Sequence, residues 1–331
     1  MSLLECRNLS VRYRTPRGEL RAVDEVSFTL DRGQCLGLVG ESGSGKTQTC
    51  LALAGLLSDS AIVEGSIRFE GEELLGTGRQ AWNRLRGRRI AMIFQDPMTA
   101  LTPHLTVGSQ LCELLRVHEQ QDQIAARRRA LEIMERVRIA DPERRFSMYP
   151  FELSGGMRQR IMIALALILK PALVLADEPT TALDVTVQAD VLGIFRAVIE
   201  HTGTAILLVT HDLGVVAGTC DQVMVMYAGR TLETAPVESL FASPRHPYSR
   251  ALLDCLPRSD QPRALTMPAI EGQPPDLVAL PPGCAFAPRC AHAQADCVSE
   301  CPPLISLDSG RVACWHPLSG YDPGRDQGDP A

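Results

Sequence analysis

The chain has 331 residues, of which 45% are hydrophobic, enough for one large domain or two smaller ones with real cores. Its formal charge of −6 gives no bulk electrostatic reason to bind nucleic acid. Residues 1–10 lack a basic region followed by an apolar run, and the longest apolar run, Ile161–Leu169, falls well short of the ~20 residues that span a bilayer, so a soluble chain that reaches membranes only through partners is expected.

In chain order, residues 3–39 read as short strands. Leu9, Val11 and Tyr13 alternate with polar neighbours, then Ala22-Val23 and Val26–Leu30 follow. Gln34–Val39 is an apolar run that leads into glycine-rich sequence at Gly40. Thr47–Leu57 has helical character, and Gly65–Glu70 and Ile90–Phe94 read as further strands. Residues 96–152 change character: Val107–His118 and Ile124–Val137 carry apolar residues at helical spacing among many charges, which predicts an all-helical insertion. Leu153–Leu169 reads as a helix beginning at Ser154, Ala172–Ala176 as a buried strand, Val185–His201 as a helix and Thr204–Val209 as a buried strand. This alternation predicts an α/β core with a parallel sheet. From about Pro236 proline becomes dense, so a poorly regular C-terminal module is expected, followed by a loose polar tail.

Gly40-Glu41-Ser42-Gly43-Ser44-Gly45-Lys46-Thr47 matches the phosphate-loop pattern G-x-x-x-x-G-K-[ST], with an apolar strand before it and a helix after. Glycines let backbone N–H groups converge on phosphate oxygens, and the helix start favours an anion. Lys46 is one of only two lysines in the chain and falls where a point charge must meet the β- and γ-phosphates; the Thr47 hydroxyl suits Mg²⁺. Gln48 is counted with the ATP-binding set. Leu173–Ala176 is an apolar strand that ends in Asp177 and Glu178, the form of a Walker B segment. There Asp177 would hold Mg²⁺ and Glu178 would orient or deprotonate the attacking water. Ser154 can cap a helix, and Gly155 and Gly156 expose N–H groups at its start, a second anion-competent motif.

With Leu153-Ser154-Gly155-Gly156 placed before Asp177, the chain resembles the nucleotide-binding subunits of ABC transporters over about residues 1–255. The resemblance implies a P-loop ATPase domain with a RecA-like core, an antiparallel β-subdomain and a helical subdomain at about 96–165. It implies a dimer in which Ser154, Gly155, Gly156 and Met157 of one subunit close over ATP held by the other. It assigns Gln95 to the Q-loop and to magnesium, Ala182-Leu183-Asp184 to the D-loop, His211 to the γ-phosphate switch and Tyr13 to adenine stacking.

Five of the eleven cysteines fall at Cys284, Cys290, Cys297, Cys301 and Cys314, an irregular spacing without the C-x2-C pairs of zinc ribbons. Soft thiolates on proline-rich backbone suit a tetrahedral metal or an iron–sulfur cluster, and spacing alone does not separate zinc, iron–sulfur or free thiols. The segment Pro244–Leu253 resembles the C-terminal extension of peptide- and nickel-importer ATPases. That resemblance implies a 4Fe–4S cluster on Cys284, Cys290, Cys297 and Cys314, with Cys301 an extra, in a module over 256–320 before a tail at 321–331. It further implies an importer ATPase for short peptides, dipeptides first, with oligopeptides or nickel as alternatives. The implied partners are a second, different ATPase subunit, two transmembrane permease subunits and, indirectly, a solute-binding protein, at the cytoplasmic face of a bacterial inner membrane. A soluble ABC ATPase acting on nucleic acid or ribosomes fits poorly with one cassette and a net negative charge.

Overall fold

The computed structural model describes residues 2–181, 183–256, 269–307 and 310–319. The D-loop Ala182, the prolines at 257, 262 and 268 and the expected tail at 321–331 lie outside these residues.

The N-terminal segment forms two long antiparallel strands, β1 (Leu4–Thr15) and β2 (Gly18–Leu30), where short strands were expected. Register shifts between Cys6 and Leu9 and between Leu9 and Val11 explain the difference. Each slip moves the side chains to the other face, so the alternation breaks in mid-strand although the pairing continues. Asn8 and Glu25 take positive φ at these irregularities. The chain then passes through β3 (Cys35–Val39) and helix α1 (Lys46–Leu53), which stops short of the expected Leu57 because Gly55 turns left-handed. Strands β4 (Ala61–Phe69) and β5 (Glu72–Glu73) complete a four-stranded sheet in the order β2-β1-β4-β5.

After α2 (Arg79–Leu85) and β6 (Ile90–Ile93) comes the helical insertion: α3 (Pro97–Ala100), α4 (Val107–Glu119), α5 (Gln123–Arg136) and α6 (Pro142–Phe146). Helix α7 (Gly155–Leu167) starts where Ser154 predicts, its side chain accepting from the Met157 N–H. Strand β7 (Leu173–Asp177), α8 (Val185–Thr202), β8 (Ala205–Thr210), α9 (Leu213–Thr219), β9 (Gln222–Tyr227) and β10 (Arg230–Pro236) close the main sheet. Strands β9, β3, β8, β7 and β6 run parallel in that order, with every residue of β3, β7 and β8 buried. Successive side chains feed different cores. Val174 and Ala176 pack toward the helices, while Leu173 and Leu175 pack toward the antiparallel sheet and α1.

The C-terminal region holds α10 (Val237–Ala242), α11 (Pro247–Asp254) and α12 (Ala295–Ser299), then a hairpin of β11 (Ile305–Leu307) and β12 (Gly310–Val312). The hairpin corrects the expectation of a poorly regular module, since β12 pairs with β10 and extends the main sheet to eight strands. Proline density hides it, because each of its strands is only three residues long. Tyr227 and Val225 of the sheet share a buried cluster with Tyr248, Phe286, Cys284 and Cys297. Among the described residues no helix is long and apolar enough to cross a membrane.

Candidate functional site

The phosphate loop joins β3 to α1, and its glycines are needed before any ligand is considered. Gly40 and Gly45 take φ of 152° and 100°, and a Cβ there would stand 2.1 Å from the Met226 carbonyl and 2.3 Å from that of Ala22. Gly43 has open space around it, so its φ of 80° is what favours glycine. Lys46 is buried under the loop, its Nζ donating to the carbonyls of Gly40 and Glu41 at 2.8 Å each and to Ser44 Oγ at 3.3 Å. Burial lowers its pKa, and the charges of Glu178, Asp177 and Glu41 oppose that shift. Ser42, Gly43 and Thr47 face solvent along the open side of the loop. Tyr13 donates its hydroxyl to Gln48 Oε1 at 2.6 Å, which brings the expected adenine residue beside α1.

Thr47 Oγ1 donates to Asp177 Oδ1 at 3.2 Å, so two hard oxygens meet at the end of β7. Burial raises the Asp177 carboxyl above its ordinary range, while the Thr47 hydrogen bond pulls it back. The donor set fits a magnesium ion, which takes hydroxyl and carboxylate oxygens and keeps several waters. Glu178 follows in the left-handed region, φ 47°, a conformation that costs on the order of 1–3 kcal/mol and recurs at working sites. Its Oε2 accepts from Gln95 Nε2 at 3.0 Å and from Thr181 Oγ1 at 2.9 Å, and its Oε1 lies 3.4 Å from His211 Nδ1. Thus Gln95, Glu178 and His211, separated in sequence, converge on one carboxylate.

Two groups were missed from sequence. Thr181 orients Glu178, and the only hint was a hydroxyl three residues after the carboxylate. The buried Gln159 donates to the Pro179 carbonyl, tying α7 to the segment after Glu178. Asp184 caps α8 through the Val187 N–H at 3.0 Å. Ser154 and Gly155 are exposed at the start of α7. Among the described residues no hydrogen bond joins Ser154–Met157 to the phosphate loop of the same chain.

In the C-terminal region Cys284, Cys290, Cys297 and Cys314 line one small cavity with Phe286, His292 and His316, whereas Cys301 lies outside it against Arg230 Nη1 at 2.6 Å. The Cys284 N–H donates to the Cys297 carbonyl at 2.8 Å, and a Cβ on Gly283 would strike that carbonyl. Burial pushes the Cys284 and Cys290 thiols up and Cys314 up to about 11, with neighbouring thiols adding to each shift. Four soft donors around one cavity fit a thiophilic metal group that replaces their protons. A tetrahedral zinc site would hold its sulfurs about 3.8 Å apart, given Zn–S bonds of about 2.3 Å. Among the described residues no three cysteines bring their sulfurs within 4.8 Å of one another; the set that does converge so closely is Asp296, Cys297 and His316. His316 is also hydrogen-bonded to Asp296 at 2.9 Å.

The model of the ABC transporter family matches residues 23–181, and that of the oligopeptide/dipeptide transporter C-terminal region matches residues 232–297. The oligopeptide transport ATP-binding protein of Haemophilus influenzae is 49% identical over 316 residues, 95% of this chain and 97% of that one. Its Escherichia coli counterpart is 48% identical, covering 96% of this chain and 94% of that one. A putative peptide import ATP-binding protein of Brucella abortus is 46% identical over 94% of this chain and 93% of its own length. Among solved structures, a dimeric ATP-binding cassette bound to ADP and Pi superposes with a TM-score of 0.65 at 24% identity, over 71% of this chain and 98% of that chain.

Proposed function

The chain belongs to the ABC transporter ATP-binding family, as an ATPase with the oligopeptide/dipeptide transporter C-terminal region, and on that premise we propose that it energises the uptake of peptides. The observation that carries the proposal is the convergence of Gln95, Thr181 and His211 on Glu178, one residue from the Thr47–Asp177 pair. Lys46 and the loop N–H groups bind and orient the triphosphate; Tyr13 and Gln48 flank the base. Thr47, Asp177 and Gln95 would hold a magnesium ion, which would supply charge neutralisation on the phosphate oxygens. Glu178, fixed by Gln95 and Thr181, takes a proton from the attacking water, and His211 faces the γ-phosphate. The exposed start of α7 leaves Ser154, Gly155, Gly156 and Met157 free to close over ATP held by a second ATPase subunit, which we place as a different chain. Two permease subunits would receive the helical insertion at the cytoplasmic face of the membrane, with a solute-binding protein delivering peptide from outside.

The relatives' names speak of oligopeptides, which favours longer peptides over the dipeptides expected from sequence. We further place a 4Fe–4S cluster on Cys284, Cys290, Cys297 and Cys314, because these four thiols line one cavity and Cys301 does not. When bound, it would cross-link the segments that carry these four cysteines, helix α12 among them. Purification of the tagged chain with its membrane partners, followed by ATP-driven uptake of labelled peptides of graded length into proteoliposomes, tests the transport reading. Uptake of dipeptides but not longer peptides would reverse the substrate order, and ATP turnover indifferent to permease partners would overturn the importer.

A further inference from the structure

The phosphate loop contains a carboxylate, Glu41, beside which a triphosphate carrying up to four negative charges must bind. Like charges in a partly dry site repel strongly, so an unneutralised Glu41 would oppose binding. The structure supplies the neutralising charge from the other end of the chain. Arg289 holds Glu41 in a bidentate pair, Nη1 to Oε2 at 2.6 Å and Nη2 to Oε1 at 3.0 Å. Its remaining donors go to Tyr227 Oη at 3.1 Å, the Ile270 carbonyl at 3.1 Å and the Glu271 carbonyl at 2.9 Å. All five guanidinium N–H groups are therefore used, and the side chain is only 4% exposed. Tyr227 and Phe286 flank the guanidinium at 5.8 and 5.9 Å. Tyr248 also holds this residue's backbone: its Oη accepts the Glu41 N–H at 2.9 Å, while the Glu41 carbonyl accepts from Lys46 Nζ.

We infer that Arg289 is a positioning residue of the ATP site, neutralising Glu41 and fixing the phosphate loop from the C-terminal region. The inference rests on reading Gly40–Thr47 as the triphosphate cradle. Arg289 directly precedes Cys290, so the backbone that shapes the thiol cavity also sets the guanidinium. This gives the C-terminal region a role in nucleotide affinity in addition to any role in stability. The electrostatic part of that role makes a specific demand: removing the cation should hurt, and removing the anion as well should largely repair the damage.

The test is Mg-ATP binding to the full chain by calorimetry, with melting temperature recorded alongside. Arg289→Met is expected to weaken affinity about tenfold or more, and Glu41→Gln combined with Arg289→Met to return to within about twofold of Glu41→Gln alone. Where Arg289→Met does not fold, Arg289→Lys carries the test: it keeps the charge but loses the fork, so it should melt lower while binding ATP within about twofold of the parent. Unchanged affinity in Arg289→Met, failure of the double variant to recover, or tenfold weaker binding by Arg289→Lys would each overturn the inference. Lys46→Ala separates the two levels. If it binds ATP normally, the cradle reading fails; if it loses ATP while Arg289→Met does not, the cradle stands and only the role of Arg289 falls.

Discussion

The phosphate loop and the thiol cavity are the two candidate sites of the chain's described residues, and they are built in opposite ways. The loop is eight consecutive residues between a buried strand and a helix, and backbone geometry does most of its work: three glycines at positive φ, one lysine folded beneath them. The cavity collects four side chains over thirty residues of mostly irregular chain, and its neighbour Cys301 is turned away to Arg230. A site made of contiguous backbone tolerates almost no substitution in its frame. A site made of dispersed side chains depends instead on the folds between them and on whatever group links them.

The sharpest way to break this comparison is Glu178→Gln. It should keep ATP binding and lower turnover about 10²–10⁴-fold in a phosphate-release assay, because the general base is lost while the cradle is intact. Normal turnover would remove Glu178 from its assigned place. Next, Lys46→Ala should weaken nucleotide binding about tenfold or more, and should also melt lower, since the Gly40 and Glu41 carbonyls lose their buried donor. Gly40→Ala should cost about 3 kcal/mol of folding stability by denaturant titration, because its Cβ would collide with the Met226 carbonyl. Were it neutral, the loop's frame would be less rigid than its geometry implies.

The thiol side is sharpened by a pair of variants in anaerobically purified protein. Cys314→Ser should lose most of the broad absorbance near ~400 nm expected of thiolate-to-iron charge transfer, whereas Cys301→Ser should leave it unchanged. Colourless parent protein with stoichiometric zinc would defeat the cluster assignment, and equal losses in both variants would defeat the exclusion of Cys301.

Much of the core was legible because both periodicity and chemistry repeat locally. The buried strands β7 and β8, the helices α4, α5 and α7 and the cap at Ser154 announce themselves within a few residues. The long strands β1 and β2 were misread as fragments because bulges interrupt alternation without ending the pairing. The β11–β12 hairpin was missed because its strands are short and its partner, β10, lies some seventy residues away in sequence.

By itself, then, the chain's order of residues determined the phosphate loop, the carboxylates at Asp177 and Glu178 and the set of candidate thiols, since each depends on neighbours a few bonds apart. Only the folded structure decided that Thr181 orients Glu178, that four of the five clustered cysteines share a cavity, and that Arg289 reaches Glu41 across 248 positions. Those pairings depend on which surfaces the sheet brings together, and no local pattern encodes a distance between residues so far apart.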